Sequence, residues 1–267
     1  MMKSPLKAET ILARQTALAA GRLLEKGFGG TFAIRSKVGQ HNLVTEFDNA
    51  SEELIVEQIR SQYPDHSFLC EERGWQGNQT KHLWIIDPLD GTVNFAHNIP
   101  IYCVSIAYAK EGEIVSAAIY HPSVKELFVA EKGKGATLNG KSICVTSTPH
   151  IKEAIFGTGF PYNVHQNPLR CIEQFAHIIR QGIPVRRMGA AAIDLSYVAA
   201  GRYDAFWEVS LQPWDYAAGK LLVEEAGGMF TTLTGENYPP TNNYVAGSIV
   251  ASNGHIHKSL LKMLTLE

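Results

Sequence analysis

The sequence predicts an α+β fold in which helices and an antiparallel sheet precede an alternating α/β half. Two observations favour this class. Apolar, β-branched segments follow one another without a helix between residues 83 and 130, and strands alternate with helices after residue 183. Such an order is typical of layered α+β proteins. We place a boundary near residues 145–155, so that residues 1–150 and residues 151–267 form two halves of one compact unit.

Hydrophobic periodicity defines the elements of the first half. Apolar residues at helical spacing predict helices over residues 6–26 and 49–63. Residues 67–70 are expected to form a strand that ends at a pair of glutamates. The antiparallel meander is expected at residues 83–86, 101–109, 113–121 and 126–130.

The second half begins with a helix after Asn167-Pro168 that ends near Gly182. Its apolar residues recur at helical spacing: Leu169, Ile172, Phe175, Ala176 and Ile179. Four strands follow, at residues 184–188, 205–209, 229–233 and 248–251. Two helices are expected between them, at residues 190–200 and 215–226.

Composition excludes several functional classes. The 267 residues are 45% apolar and 19% charged, which is typical of a globular protein. The formal net charge is −2 without a basic tract, so no nucleic-acid groove is expected. The four cysteines form no C-x-x-C motif, and the sequence contains neither a signal peptide nor a bilayer-length apolar stretch. We therefore expect a cytoplasmic protein that binds no membrane.

The stretch GATLNGKS, residues 135–142, matches the phosphate-binding loop of nucleotide hydrolases. Such a loop must lead into a helix, whose N-terminus provides the amide donors. The residues after Lys141 are instead β-branched and end in Pro149. Asn139-Gly140 is a strong signal for a two-residue type I′ turn. The sequence therefore predicts a β-hairpin here.

The stretch WIIDPLDGTVNF, residues 84–95, carries the strongest chemical signal. An apolar strand brings Asp87 to its end, and the following turn brings Asp90 close to it. Adjacent carboxylates repel each other unless a cation lies between them, and hard oxygen ligands suit Mg²⁺. Gly91 allows close approach of a ligand, and Thr92 offers a hydroxyl group. The pattern predicts either a metal and phosphate site or a turn whose carboxylates accept backbone hydrogen bonds.

Three further acidic residues each have a simple structural explanation. Glu71, in the pair Glu71-Glu72, could be neutralised by Arg73. Asp48 precedes the second predicted helix, where acidic residues are common. Asp215 is expected to be the N-cap of the last predicted helix. Taken singly, these residues do not distinguish a metal site from ordinary helix ends.

Taken together, these residues resemble the inositol monophosphatase family of magnesium-dependent, lithium-sensitive sugar phosphatases. The resemblance covers nearly the whole chain and rests on two long motifs, WIIDPLDGTVNF and WDYAAGKLLVEEAGG. It implies a layered αβαβα sandwich, usually assembled as a homodimer.

By position, the resemblance implies five Mg²⁺ ligands for two or three ions per site: Glu71, Asp87, Asp90, Asp215 and the backbone carbonyl of Leu89. It implies three catalytic residues: Glu71, Thr92 and Asp48. Lys37 falls in the loop that accompanies them. The implied substrate contacts are Leu89, Asp90, Gly91, Thr92 and Asp215 around phosphate, and Gly189, Ala190, Ala191 and Glu208 at the hydroxyl groups. Ala190 and the Cys-Glu-Glu-Arg context of Glu71 depart from the common family pattern and bear on substrate preference.

The implied activity is hydrolysis of a small sugar or cyclitol phosphate by a metal-activated water that Glu71 helps to position. Inositol-1-phosphate is the leading substrate, and the alternatives are fructose 1,6-bisphosphate, histidinol phosphate, 3′-phosphoadenosine 5′-phosphate and NADP. One rival is a haloacid-dehalogenase-type phosphatase, although its Asp-x-Asp-Gly-Thr motif is one residue shorter than Asp-x-x-Asp-Gly-Thr here. Another rival is a non-catalytic regulatory protein on a phosphatase scaffold.

Overall fold

The computed structural model describes residues 5–36, 43–78, 80–237 and 246–266. These segments form seven α-helices: α1 Ala8–Gly27, α2 Glu46–Gln62, α3 Thr92–Ala96, α4 Cys171–Arg180, α5 Ala191–Ala199, α6 Pro213–Glu225 and α7 His257–Thr265. Their strands are β1 Ile34–Ser36, β2 Leu43–Thr45, β3 Ser67–Cys70, β4 Gly74–Gln76, β5 His82–Asp90, β6 Cys103–Lys110, β7 Glu113–His121, β8 Glu126–Glu131, β9 Gly135–Leu138, β10 Lys141–Ile143, β11 Phe156–Thr158, β12 Val185–Arg186, β13 Ala205–Leu211, β14 Met229–Thr232 and β15 Gly247–Ser252. None of the described helices is long and apolar enough to span a membrane.

The larger sheet has eight strands in the order β10-β9-β8-β7-β6-β5-β3-β4. Among the described strands of this sheet, only β3 and β5 pair in parallel. Alternate residues of β5 point to opposite faces, so Trp84 and Ile86 pack against α1 and α2. Leu83 and Ile85 pack on the other face, in the core that includes α5 and α6. Burial on both faces explains why residues 83–86 of β5 are continuously apolar.

The smaller sheet has five strands in the order β12-β11-β13-β15-β14. Phe206 and Ile249 pack in the core formed with α5 and α6. Phe156 and Trp207 pack in a second core with α4 and α7. The layers therefore follow the order αβαβα, as the resemblance to the family implied. The two sheets come from residues before and after the proposed boundary near 145–155, and the division into two halves stays a prediction.

Helix α4 corrects one sequence prediction. Its predicted apolar stripe is wrong, because Leu169, Ile172 and Ile179 are exposed. The helix begins at Cys171, after a turn in which Leu169 has φ 51°, and packs against the small sheet and α7 through Ile178. Leu169 therefore lies before the helix, whereas Ile172 and Ile179 keep their helical spacing but lie on its exposed side. The predicted strand at 184–188 is likewise shorter, and α7 was not predicted at all.

The hairpin prediction for GATLNGKS is confirmed. Strands β9 and β10 pair antiparallel, with Leu138 opposite Lys141. Asn139 and Gly140 have φ values of 49° and 78°, as a type I′ turn requires. The preceding glycines contribute amides to the protein itself, because the N–H groups of residues 133 and 135 donate to the Glu225 carboxylate at 2.7 and 2.6 Å.

Two substitutions in this hairpin are expected to have separate effects. Lys141→Ala should change kcat and KM for phosphate release by less than about threefold, because the side chain is exposed. Gly140→Val should lower the free energy of unfolding by about 1–2 kcal/mol, because a β-branched residue resists positive φ. Gly140→Asn is the control, since asparagine tolerates this conformation and the space beside Gly140 is open. Near-total loss of activity in a well-folded Lys141→Ala protein would contradict the hairpin assignment.

Candidate active site

The candidate site forms where β5 ends. The register between β5 and β6 shifts between Asp87 and Asp90, which makes room for the turn. The Leu89 N–H donates to Asp87 Oδ1 at 3.0 Å. Gly91 has φ 89°, and a Cβ atom there would lie 2.8 Å from the Ile101 carbonyl oxygen. Glycine is therefore required on both conformational and steric grounds.

Asp48 lies in the first turn of α2 and contacts this turn. Its Oδ2 accepts the Thr45 N–H at 2.7 Å and the Thr45 hydroxyl at 2.6 Å, which forms a capping box. Its Oδ1 accepts from the Thr92 hydroxyl at 2.9 Å, and the same hydroxyl lies 2.9 Å from the Leu89 carbonyl oxygen. The prediction that Asp48 precedes the helix is wrong, because α2 begins at Glu46. The helix cap fixes the carboxylate that holds Thr92.

Asp215 is likewise positioned by a capping box, at the start of α6. The helix begins at Pro213, and Asp215 Oδ2 accepts the Gln212 N–H at 2.7 Å. Asp215 is therefore the third residue of the helix rather than its N-cap, which corrects the sequence prediction. Because the carboxylate of a third helical residue points back towards the helix start, it remains at the end of the helix that faces the turn.

Burial and nearby carboxylates raise the pKa of Asp87, Asp90 and Asp215 in this region. Burial raises the pKa of Asp87 well above its ordinary value, and Glu71, Asp90 and Asp215 add to the shift. Burial likewise raises the pKa of Asp215, with further contributions from Asp90 and Glu71. Burial raises the pKa of Asp90 to about 7, opposed by the N–H of Ala192, which donates to Asp90 Oδ2 at 2.8 Å. The four residues therefore form one electrostatic cluster.

The cluster has the chemistry of a Mg²⁺ site. Mutual repulsion among buried carboxylates favours a bound cation, and oxygen donors suit Mg²⁺. In the part of the chain that the structure describes, no three His, Cys, Asp or Glu side chains already form a ready-made metal site. Lys37 lies outside the described residues.

Three of the predicted hydroxyl-contacting residues, Gly189, Ala190 and Ala191, lie at the start of α5 beside the turn. A Cβ at Gly91 would lie 3.3 Å from Ala190 Cβ, so the start of α5 abuts the turn. Gly189 has φ 82°, and Ala191 is the first residue of α5. Glu208 projects from β13 towards Gly159, where an added Cβ would come within 2.0 Å of Glu208 Oε2. Burial raises the pKa of Glu208 to about 8, and Arg187 opposes this shift.

Several residues that support the site were not predicted from the sequence. Asn94 Nδ2 donates to the carbonyl oxygens of Ile101 at 2.8 Å and Met188 at 2.9 Å, and so joins α3 to the segment before α5. Ser51 and Glu52 are fully buried on α2, three and four residues after Asp48. That spacing is visible in the sequence and would have placed all three on one helix face.

Buried titratable groups in and outside the cluster determine how the free energy of unfolding should depend on pH. The raised pKa values of Asp90 and Glu208 contrast with about 4 for carboxyl groups in an unfolded chain. The folded, metal-free protein therefore retains protons that the unfolded chain has released, and the free energy of unfolding falls as pH rises. Burial lowers the pKa of His66, His121 and His257, which has the opposite effect below about pH 6.5.

We therefore expect the melting temperature in chelator to fall between about pH 7 and about pH 8, where the histidines are largely neutral in both states. Asp90→Asn should reduce this slope, and thermal melting at fixed ionic strength measures it. A melting temperature that rises or stays constant across the window would contradict the expectation.

The layered fold and the acidic turn place the protein in the sugar-phosphatase class. A model of the inositol monophosphatase family matches residues 6–265. The chain belongs to the inositol monophosphatase family, as the two motifs indicated.

Relatives match the chain over nearly its whole length. The inositol-1-monophosphatase of Rhizobium meliloti (strain 1021) is 40% identical over 252 residues, which cover 94% of this chain and 93% of that protein. The Nus factor SuhB of Escherichia coli (strain K12) matches with the same identity and coverage. The crystal structure of the extragenic suppressor protein SuhB from Bartonella henselae has a TM-score of 0.89 at 37% identity, covering 97% of this chain and 98% of that one. The relatives therefore include a protein named inositol-1-monophosphatase and proteins named SuhB.

Proposed function

We propose that the protein is a Mg²⁺-dependent phosphomonoesterase that hydrolyses a small sugar or cyclitol phosphate. Family membership supports a phosphatase, and the raised pKa values of the buried Asp87, Asp90 and Asp215, to which Glu71 contributes, support the metal assignment. With Leu89, these residues would hold two or three Mg²⁺ ions. When bound, Mg²⁺ supplies Lewis acidity and lowers the pKa of coordinated water.

The protein's own groups bind and orient the reactants in this proposal. The backbone amides of Gly91 and Thr92 would donate to the phosphate oxygens. The Thr92 hydroxyl donates to Asp48 at 2.9 Å. This hydrogen bond would keep the Thr92 hydroxyl in a fixed position for proton transfer. Glu71 would position the attacking water. Catalysis would then depend mainly on electrostatics and orientation.

Glu208 and the start of α5 would recognise the substrate's hydroxyl groups. Glu208 is partly buried beside Gly159, and Gly189, Ala190 and Ala191 lie next to the turn. Inositol-1-phosphate is the leading substrate, supported by the 40% identity to an inositol-1-monophosphatase. Fructose 1,6-bisphosphate, histidinol phosphate, 3′-phosphoadenosine 5′-phosphate and NADP are the alternatives. Lithium inhibition, a homodimer and a cytoplasmic location complete the proposal.

A regulatory role is the second candidate function. The 40% identical Escherichia coli relative is a Nus factor, which supports a protein partner in transcription for this chain as well. All four proposed acidic ligands are present here, so such a role would accompany catalysis rather than replace it. Co-purification with transcription proteins from a tagged strain, compared between parent and Asp90→Asn, would separate the two functions.

Phosphate release from a panel of the five substrates tests the proposal. We expect Mg²⁺-dependent hydrolysis of at least one, with inositol-1-phosphate giving the highest kcat/KM. A trapped aspartyl-phosphate on Asp87 would instead favour the haloacid-dehalogenase mechanism. Absence of turnover on every substrate in the presence of Mg²⁺ would contradict the proposed activity.

A further inference from the structure

One face of α2 is both buried and polar. Asp48, Ser51 and Glu52 are each fully inaccessible to solvent. Their spacing of three and four residues places them on one side of the helix. Buried polar groups are costly unless they make hydrogen bonds, so a polar stripe in this position calls for an explanation. Each of the three reaches a different part of the candidate site.

Ser51 fixes the peptide unit that orients Asp87. Its hydroxyl donates to the Pro88 carbonyl oxygen at 2.8 Å. The Leu89 N–H belongs to the same planar peptide unit and donates to Asp87 Oδ1 at 3.0 Å. A rotation of this peptide would break both hydrogen bonds. Ser51 therefore acts on Asp87, and on the neighbouring Leu89 carbonyl, through the main chain.

Glu52 fixes the peptide unit that follows Glu71. Its Oε2 accepts the Glu72 N–H at 2.9 Å, which belongs to the peptide unit that follows Glu71. The Glu71 N–H donates to the Ile86 carbonyl oxygen at 3.2 Å, so the main chain of Glu71 is held on both sides. The other oxygen of Glu52 makes no hydrogen bond and has Arg73 Nε at 3.5 Å as an ion-pair partner.

We infer that Ser51 and Glu52 are positioning residues, which hold the Glu71 and Asp87 segments at the mutual spacing needed to bind a shared Mg²⁺ ion. The inference rests on the proposed function, because it assumes that these carboxylates bind the metal. A single rigid helix connects the two segments, so their separation is set by α2 rather than by either loop. Residues that orient metal ligands in this way typically affect metal affinity by about 10–100-fold.

Mg²⁺ titrations of the substrate-free protein, followed by thermal shift, test the inference. Glu52→Asp keeps the charge but shortens the side chain, and should raise the half-saturating Mg²⁺ concentration about tenfold or more. Glu52→Gln keeps the length and an acceptor, and should stay within about twofold of the parent. Ser51→Ala should raise the concentration about fivefold through loss of one hydrogen bond.

Glu53→Asp is the matched control, because Glu53 is the next residue, is exposed, and pairs with the same Arg73 at 3.7 Å. It should stay within about twofold of the parent. The opposite order, with Glu52→Gln impaired and Glu52→Asp normal, would overturn the inference, since the charge rather than the reach of Glu52 would then matter. Unchanged titrations for both Glu52→Asp and Ser51→Ala would also overturn it. Absence of any Mg²⁺ response in the parent would instead contradict the proposed function itself.

Discussion

Removal of Mg²⁺ is expected to abolish phosphate release, and its return is expected to restore activity in full. The reason is the charge of the site. The cluster of Glu71, Asp87, Asp90 and Asp215 is negative when ionised, and by itself it repels a phosphate ester. Only a bound cation reverses that charge and polarises the substrate. Phosphate release is measured after treatment with chelator, and again after dialysis into Mg²⁺.

Calcium is the informative control for this experiment. It binds oxygen ligands but tolerates looser geometry than Mg²⁺, so it should occupy the site without supporting full turnover. Full activity in excess chelator would contradict the metal assignment for the whole cluster. Lithium-insensitive but Mg²⁺-dependent activity would contradict only the expected lithium inhibition.

Replacing Asp90 with asparagine is expected to lower kcat by about a thousandfold, equivalent to about 4 kcal/mol. Asparagine retains an acceptor for the Ala192 N–H, so the tie between the turn and α5 should survive. It removes a carboxylate whose burial raises its pKa to about 7. The metal-free variant should therefore be at least as stable as the parent near pH 8, while its activity is lost. Steady-state kinetics and thermal melting in chelator measure the two effects.

Asp215→Asn tests whether activity can be lost without loss of folding at α6 as well. The asparagine oxygen can still accept the Gln212 N–H, so α6 should remain folded while kcat falls by a similar factor. Normal turnover in this variant would show that Asp215 has only the capping role. A parallel loss of activity and of helical structure in either variant would point to unfolding rather than to the loss of a metal ligand.

The sequence alone was sufficient for the α+β class and for the turn that follows Asp87. The continuous apolar character of residues 83–86 in β5 is local information, because a strand segment buried on both faces is typically apolar. Asn139-Gly140 likewise determines its own turn, since few residue pairs accept two positive φ values. The turn after Asp87 was recognisable because Pro88 fixes its own φ, Asp90 favours turns and Gly91 permits a positive φ. These features depend on neighbours within a few residues.

The tertiary structure decided what depends on distant neighbours. Ile172 and Ile179 have the spacing of a buried stripe, yet α4 packs through Ile178 because of where the small sheet and α7 lie. The polar face of α2 was equally ambiguous, because helical spacing puts Ser51 and Glu52 beside Asp48 without saying what they meet. Their partners, the Pro88 carbonyl and the Glu72 N–H, are 37 and 20 residues away in the chain. Periodicity specifies which residues share a face, but the surface against which that face packs is fixed only when the sheets and helices assemble.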